Sequence, residues 1–274
     1  MELFSPQIIA LTLVFAAFAG TLAGLLGVGG GVILVPLFLW LFPLAGFPEQ
    51  LVVHTAFGTS LAIIIPTSFS STLGHRKRGN VDWHMVGYLA LGGTAGALIG
   101  STAAAYVPGQ QLKIIFGCLQ IIIAFKLLFF HPLLPPERSD KPPKVQSLLV
   151  GLAGGMFSAF FGVGGGVVAV PLMMIVMQLP IHLAVGNSSA LIVVSSLVGT
   201  IGYVYHGLQQ PLTAPLSLGY VNVLVATVVA PVSMACARLG VKLATRISQK
   251  HLIKIFAVLL VFIGARILFD VFIG

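Results

Sequence analysis

The sequence predicts an all-α, polytopic helical membrane protein with two inverted repeats, each made of a glycine-broken helical hairpin plus three crossing helices. The first observation is the scarcity of charge. The 274 residues include 14 Lys and Arg and only 6 Asp and Glu, so 7% are charged, against about 25% in soluble proteins. One bilayer crossing needs about 20 apolar residues. Several crossings therefore fit into the uncharged stretches, which are 3–48, 50–75, 83–112 and 145–237.

The second observation is an internal repeat. Gly27–Val32 (GVGGGV) recurs as Gly162–Val167, and nine of fourteen positions are identical between 27–40 and 162–175. Residues 112–129 and residues 252–269 are identical at seven of eighteen positions. The repeat predicts a tandem duplication, with the first membrane repeat at 1–134, a proline-rich solvent linker at 135–144 and the second membrane repeat at 145–274.

The third observation is the interruption of two apolar segments by glycine. Clustered glycines followed by Pro36 or Pro171 break a helix rather than continue it. The predicted elements of the first half are 7–26 and 32–45 around the glycines, then 51–73, 84–107 and 111–130. Those of the second half are 146–161 and 167–179, then 181–205, 212–237 and 250–272.

Basic residues select between two topologies, in which each glycine-broken pair is either a hairpin that enters from one side or a single crossing. If each broken pair is a hairpin that enters from one side, each half makes three full crossings and the halves are inverted. Ten of the 14 basic residues then share one face, in loops 76–78, 138–144 and 238–250. The positive-inside rule makes this face cytoplasmic, and both termini are expected outside. A cytoplasmic signal from a reporter at either terminus would contradict this topology.

The glycine breaks predict a ligand site. Irregular backbone inside a membrane is tolerated where it is buried in protein or lines a cavity, and paired breaks in inverted repeats indicate the substrate site of transporters. Helices that start after such breaks direct N–H groups and the positive end of their dipole at a ligand. A small anion is therefore expected at Gly29, Gly30, Gly31, Gly164, Gly165 and Gly166. Close helix packing is the alternative role for these glycines.

Small polar residues occupy matching places in the next segment of each half. Hydroxyl and amide groups can donate to anionic oxygens, so the candidate ligands are Thr59, Ser60, Asn187, Ser188 and Ser189. Helix–helix hydrogen bonding is the alternative. No acidic residue lies in a predicted membrane core, where proton-coupled carriers usually have an ionisable group. The candidates for coupling or gating are His54, His75, Asp82 and His182.

Other function classes find no support in the sequence. The seven histidines have no metal-ligand spacing. There is no P-loop and no nucleophile constellation, so we expect no enzyme, no cofactor and no metal. The basic residues punctuate apolar runs, which argues against nucleic acid as a partner.

Several motifs together resemble the sulfite exporter TauE/SafE family. They are the two GVGGGV segments with their Val-Pro-Leu ends, the run His54–Ser60, the loop Arg78–Trp83 and Gly186–Ser189. The resemblance implies an inner-membrane carrier that usually exports sulfite, organosulfonates or related small sulfur-containing anions. The second half departs from the first, because Tyr203 replaces His75 and the Arg-Lys-Arg loop has no counterpart.

The resulting hypothesis is secondary transport of a small anion, with alternating access of two inverted halves around the glycine breaks. An anion channel would use the same site without coupling or saturation. A non-transporting membrane scaffold would use the glycines for packing alone. The expected partners are a sulfite or sulfonate anion and the lipid bilayer, and the sequence leaves a homo-oligomer open.

Overall fold

The computed structural model describes residues 6–129, 143–212, 214–244 and 249–272. In this part of the chain the structure is helical apart from one two-stranded ribbon. The first half comprises α1 (Pro6–Leu26), α2 (Gly31–Leu44), α3 (Glu49–Arg76), α4 (Trp83–Tyr106) and α5 (Gly109–Phe129). The second half comprises α6 (Lys144–Phe161), α7 (Gly166–Ile175), α8 (Ile181–Leu208), β1 (Ser217–Leu218), β2 (Val221–Asn222), α9 (Val223–Leu243) and α10 (Gln249–Phe272).

The lengths of the helices fit a multi-pass membrane protein. Six of the described helices are long and apolar enough to cross a bilayer, namely α1, α3, α4, α6, α8 and α9. The glycine-flanked helices α2 and α7 are shorter, with 14 and 10 residues. Since a crossing needs about 20 residues, α2 and α7 are too short to span alone. The all-α, polytopic class is confirmed, with the ribbon as a small addition.

Helices of the two halves interlock through small residues. Helix α1 packs along α9, α6 packs along α4, and α5 packs along α10. A Cβ atom on Gly24 would overlap the Ala237 carbonyl oxygen, and one on Gly92 would overlap the Leu148 carbonyl oxygen. Lipid tails are as apolar as Leu, so membrane helices associate through such close backbone contact.

The centre of the molecule is formed by α3 and α8, which pack against each other and against the short helices α2 and α7. Their inner faces are fully buried and include Phe57, Leu61 and Ile64 on α3 and Leu191 and Ile192 on α8. The two interrupted segments are therefore enclosed by protein.

The predicted helix at 212–237 is wrong in its first third. Residues before Val223 form the β1–β2 ribbon, which pairs Ser217 with Asn222, and the helix then continues to Leu243. Pro211 and Pro215 disfavour helix in the residues before them. The Asn222 side chain accepts a hydrogen bond from the Val225 N–H at 2.9 Å and so starts α9 at residue 223.

Other predicted boundaries also move. Helix α7 ends at Ile175, before Gln178 with its positive φ of 56°. Arg238 and Lys242 of the predicted basic loop 238–250 lie in the last turns of α9. Only Pro143 and Lys144 of the predicted linker 135–144 and basic loop 138–144 fall within the described residues, and Lys144 begins α6.

Candidate functional site

The two glycine breaks have the same backbone conformation. Gly27, Gly29 and Gly30 have φ of 66°, 86° and 84°, and their repeat partners Gly162, Gly164 and Gly165 have φ of 69°, 93° and 70°. L-residues rarely adopt this left-handed conformation, whereas glycine does so at no steric cost. Each break ends in a left-handed N-cap glycine that starts α2 or α7.

The two breaks lie against each other at the centre. A Cβ atom on Gly29 would lie 3.2 Å from Gly164 Cα, and one on Gly31 would lie 2.6 Å from the Gly162 carbonyl oxygen. The reverse contact is equally close, because a Cβ on Gly166 would overlap the Gly27 carbonyl oxygen. The structure thus brings the two predicted glycine clusters together. Gly29, Gly31, Gly164 and Gly166 lie against the opposite break, whereas Gly30 packs on Ala19 of α1 and Gly165 packs on Gly154 of α6.

Unpaired backbone N–H groups mark the start of α2 and of α7. The Gly30 carbonyl accepts from Ile33 N at 3.1 Å, and the Gly165 carbonyl accepts from Val168 N at 3.0 Å. Among the described hydrogen bonds, none uses the N–H groups of the first two residues of either helix, which are Gly31, Val32, Gly166 and Val167. Such N–H groups and the helix dipole favour negative charge. Two electropositive helix ends therefore meet at one place.

Side chains donate hydrogen bonds to backbone carbonyl groups in or just before the breaks. Ser188 Oγ donates to the Gly27 carbonyl at 3.0 Å. His75 Nε2 donates to the Gly24 carbonyl at 3.0 Å, and the Tyr203 hydroxyl donates to the Phe160 carbonyl at 3.4 Å. His75 and Tyr203 occupy matching positions in the two halves. The substitution noted in the sequence thus preserves a hydrogen bond to the last turn of the helix before each break.

Thr59 and Asn187, also at matching positions, each bind the loop that begins a helix of the other half. Thr59 Oγ1 accepts from the Asn222 N–H at 2.9 Å, and Asn187 Oδ1 accepts from the Asp82 N–H at 2.8 Å. Asp82 also accepts from the N–H groups of His84 and Met85, which caps α4. Both predicted ligands are therefore engaged by backbone in this conformation.

Gly58 and Gly186, which directly precede Thr59 and Asn187, allow these two loops to approach the helix backbones closely. A Cβ on Gly58 would overlap the Tyr220 carbonyl oxygen, and a Cβ on Gly186 would overlap the Asn80 carbonyl oxygen. Tyr220 is buried, and burial raises the pKa of its hydroxyl, so the phenol stays neutral. We call residues 77–82 the first docking loop and residues 215–222 the second docking loop.

The candidate coupling residues are not brought together. His54 is buried, lies 3.1 Å through Nε2 from the Ala104 carbonyl and stacks on Tyr220 with ring centroids 5.0 Å apart. Its repeat partner His182 is exposed. His75 and Asp82 lie in the separate contacts described above.

The remaining predicted ligands differ in their partners. Ser189 Oγ donates to the Val185 carbonyl at 3.0 Å and lies 3.0 Å from Ser71 Oγ. Ser60 is fully buried, and its Oγ has no hydrogen-bond partner in the described structure. Ser60 is therefore the predicted side-chain ligand whose hydrogen-bonding capacity is still free.

Gln120 on α5 is not among the site residues predicted from the sequence. Its side chain is 1% exposed, and its Nε2 donates to the Val32 carbonyl in the first turn of α2 at 3.1 Å. That carbonyl would normally accept from the residue four positions later, which is Pro36 and has no N–H. The signal in the sequence that could have identified Gln120 is a single amide side chain within an otherwise apolar segment.

The chain matches the model of the sulfite exporter TauE/SafE family over residues 12–267. The chain belongs to the TauE/SafE family. This confirms the resemblance seen in the sequence.

Individual TauE/SafE relatives cover nearly the whole chain. A "Probable membrane transporter protein" of Haemophilus influenzae is 30% identical over 256 residues, 93% of this chain and 96% of the relative. "Probable membrane transporter protein YunE" of Bacillus subtilis is 26% identical and covers 94% and 96%. A "Probable membrane transporter protein" of Xylella fastidiosa is 27% identical and covers 96% and 95%. Family and relatives support a membrane transporter as the general function.

Proposed function

We propose that this TauE/SafE protein is a secondary transporter that exports sulfite or organosulfonates by alternating access. The observation that supports this most directly is the meeting of the two glycine breaks, where the N–H groups at the starts of α2 and α7 have no partners in the described structure. Backbone donors and dipoles suit a small anion without the desolvation cost of a buried cation. The scarcity of charged residues fits such a site.

The proposed mechanism requires two inverted halves, 1–134 and 145–274, joined by the linker 135–144. Reciprocal contacts support this arrangement, since α1 packs on α9 as α6 packs on α4. The pair Gly31 and Gly162 corresponds to the pair Gly166 and Gly27. Transporters with inverted repeats move one bundle against the other around a fixed midplane site.

The two docking loops are the gates in this proposal. Each loop binds the helix of the other half, through Thr59 on one side and Asn187 on the other. Both loops are docked in this structure, and in the proposed mechanism this arrangement is the occluded conformation. Undocking of one loop frees Thr59 or Asn187 for the anion, together with Ser60, Ser188 and Ser189. His54, His75, Asp82 and His182 remain the candidates for coupling and gating.

The proposed location is the cell inner membrane, with the basic segments 76–78, 138–144 and 238–250 on the cytoplasmic side. Arg78 and Arg238 support a common face, because they bind across the two halves. Arg78 donates to the Val241 carbonyl, and Arg238 Nε lies 3.2 Å from Ser70 Oγ.

A binding and transport assay tests the proposal. We expect sulfite, taurine and sulfoacetate to raise the thermal stability of the purified protein, with carboxylates as controls, and uptake into proteoliposomes to saturate. Gly30→Val and Gly165→Val should abolish transport but leave membrane insertion unchanged, because both residues have positive φ and a Cβ at Gly165 would overlap the Gly154 carbonyl oxygen.

Gly46→Val is the matched control. Gly46 has a φ of 75° and lies outside both breaks and both docking loops, and a Cβ there would contact nothing within 4 Å. Undiminished flux in both Gly30→Val and Gly165→Val would rule out the site. A response to carboxylates alone would rule out the sulfur-containing substrate, and non-saturating flux would indicate a channel.

A further inference from the structure

The amide of Gln120 has a defined orientation. The Val32 carbonyl lacks its usual helical donor because Pro36 has no N–H, so it must be the NH₂ group of Gln120 that lies 3.1 Å away. The amide oxygen Oε1 then points elsewhere. It is buried and has no hydrogen-bond partner in the described structure. A buried acceptor without a donor is unfavourable, so this oxygen is available to a donor group on a ligand.

We place Gln120 and the Ser60 hydroxyl in one layer of the first half, because each lies one helical turn beyond the same ring contact. Phe57 on α3 and Phe116 on α5 are in ring contact, with centroids 5.6 Å apart. Ser60 follows Phe57 by three residues and Gln120 follows Phe116 by four, so each lies one turn further along its helix. Beyond them comes the start of α2, since Gln120 contacts Val32.

We include in this layer the first turn of α2, which Gln120 contacts and in which the N–H groups of Gly31 and Val32 have no partner among the described hydrogen bonds. It therefore contains two kinds of group. The backbone N–H groups and the Ser60 hydroxyl can donate to anionic oxygens, whereas Gln120 Oε1 can only accept. A simple oxyanion satisfies the donors and leaves the acceptor unpaired.

The second half lacks this acceptor. The position that matches Gln120 is Leu260, which is fully buried. Ser188, which matches Ser60, already donates to the Gly27 carbonyl. Among the described residues, the polar layer is therefore found in the first half, although the backbone around it is repeated.

We propose that Gln120 is a specificity residue that selects anions which also have a hydrogen-bond donor. The ligand class is a small sulfur oxyanion with an O–H or N–H group, such as a hydroxyalkyl or aminoalkyl sulfonate or the monoprotonated form of sulfite. The inference rests on the proposed transport function. The anionic oxygens lie at the start of α2, and the donor of the ligand binds Gln120 Oε1.

A matched ligand pair tests the inference. Isethionate and ethanesulfonate have the same charge and differ by one hydroxyl group. We expect the wild-type protein in detergent to bind isethionate about three- to tenfold more tightly, the value of one buried hydrogen bond. In Gln120→Met, which preserves size but removes the acceptor, this ratio should fall to about one.

Gln111→Met is the control variant, because Gln111 lies on the same helix but is exposed. It should keep the wild-type ratio. A purely structural role for Gln120 would lower thermal stability in Gln120→Met and leave the ratio unchanged, which would overturn the inference. Equal affinities in the wild-type protein would overturn it as well, even if the variant failed to fold. If sulfite binds and neither sulfonate does, the inference is overturned and the proposed function stands for sulfite. If none of the three binds, the proposed transport function is wrong as well.

Discussion

The two halves of the molecule have the same backbone at their glycine breaks and different chemistry around them. Both breaks place three glycines at positive φ and pack reciprocally. The buried polar atoms without partners are nevertheless unequally divided. In the described structure five of them belong to the first half, in His54, Thr55, Ser60, His75 and Gln120, and one belongs to Ser196 in the second.

This difference separates the scaffold from the site. Backbone contacts between the halves require small residues on both sides, so the glycines recur. The unpaired side-chain groups do not recur in this way. Leu183 and Leu260 stand where the first half has Thr55 and Gln120, whereas Tyr203 keeps the hydrogen-bonding role of His75. A symmetric frame therefore encloses an asymmetric polar layer.

The largest expected effect tests the symmetry of the scaffold. Gly31→Ala and Gly166→Ala should each lower the free energy of unfolding by about 3 kcal/mol, because a methyl group would collide with backbone of the opposite break. Chemical denaturation in detergent measures this change.

Gly87→Ala is the control for these two variants, since Gly87 lies in α4 and a Cβ there would contact nothing within 4 Å. We expect it to be neutral or slightly stabilising. If Gly31→Ala or Gly166→Ala behaved like the control, the reciprocal packing of the breaks would be wrong.

An intermediate effect is expected where the docking loops bind. Thr59→Val and Asn187→Leu remove the acceptors of the Asn222 and Asp82 N–H groups, at a cost of about 1–2 kcal/mol each. Amide hydrogen exchange should accelerate in the second docking loop for Thr59→Val and in the first for Asn187→Leu.

Thr227→Val provides the comparison, because Thr227 is exposed and bonds only to the Val223 carbonyl of its own helix. Faster exchange in both docking loops after either substitution would show that the two loops do not dock independently.

The smallest effect sharpens the comparison of the two halves. Tyr203→Phe loses a 3.4 Å hydrogen bond and His75→Phe loses a 3.0 Å one. The longer bond is the weaker, so we expect a loss of about 0.5 kcal/mol for Tyr203→Phe and about 1 kcal/mol for His75→Phe. Thermal unfolding of both variants measures the difference, and a larger loss for Tyr203→Phe would reverse this ranking.

Much of the fold could be predicted because hydrophobic length is a local property. The predicted segments 7–26, 84–107 and 250–272 agree with α1, α4 and α10 to within one residue at each end. The segment 212–237 failed because apolar composition alone cannot separate a helix from an extended stretch with two prolines. Asn222 could not be recognised as an N-cap from the sequence, because that role depends on where the helix begins.

The candidate site was predictable only in part. The glycine breaks were recognisable because no other residue type is compatible with that backbone, and their repetition is visible in the sequence. The partners of Thr59 and Asn187 were not, since both come from loops more than 100 residues away. Gln120 was overlooked because its role depends on a carbonyl that a proline on another helix leaves free.

The sequence by itself determined the membrane, the family, the internal sequence repeat and the two glycine breaks, because transfer into lipid and backbone strain depend on each segment alone. The tertiary structure decided which helices pair, that the docking loops bind the opposite half, and that Ser60 and Gln120 retain unpaired polar atoms in the described structure. Apolar faces are nearly interchangeable in lipid, so the choice of partner follows from close backbone fit and hydrogen bonds. Those exist only once distant segments are brought together.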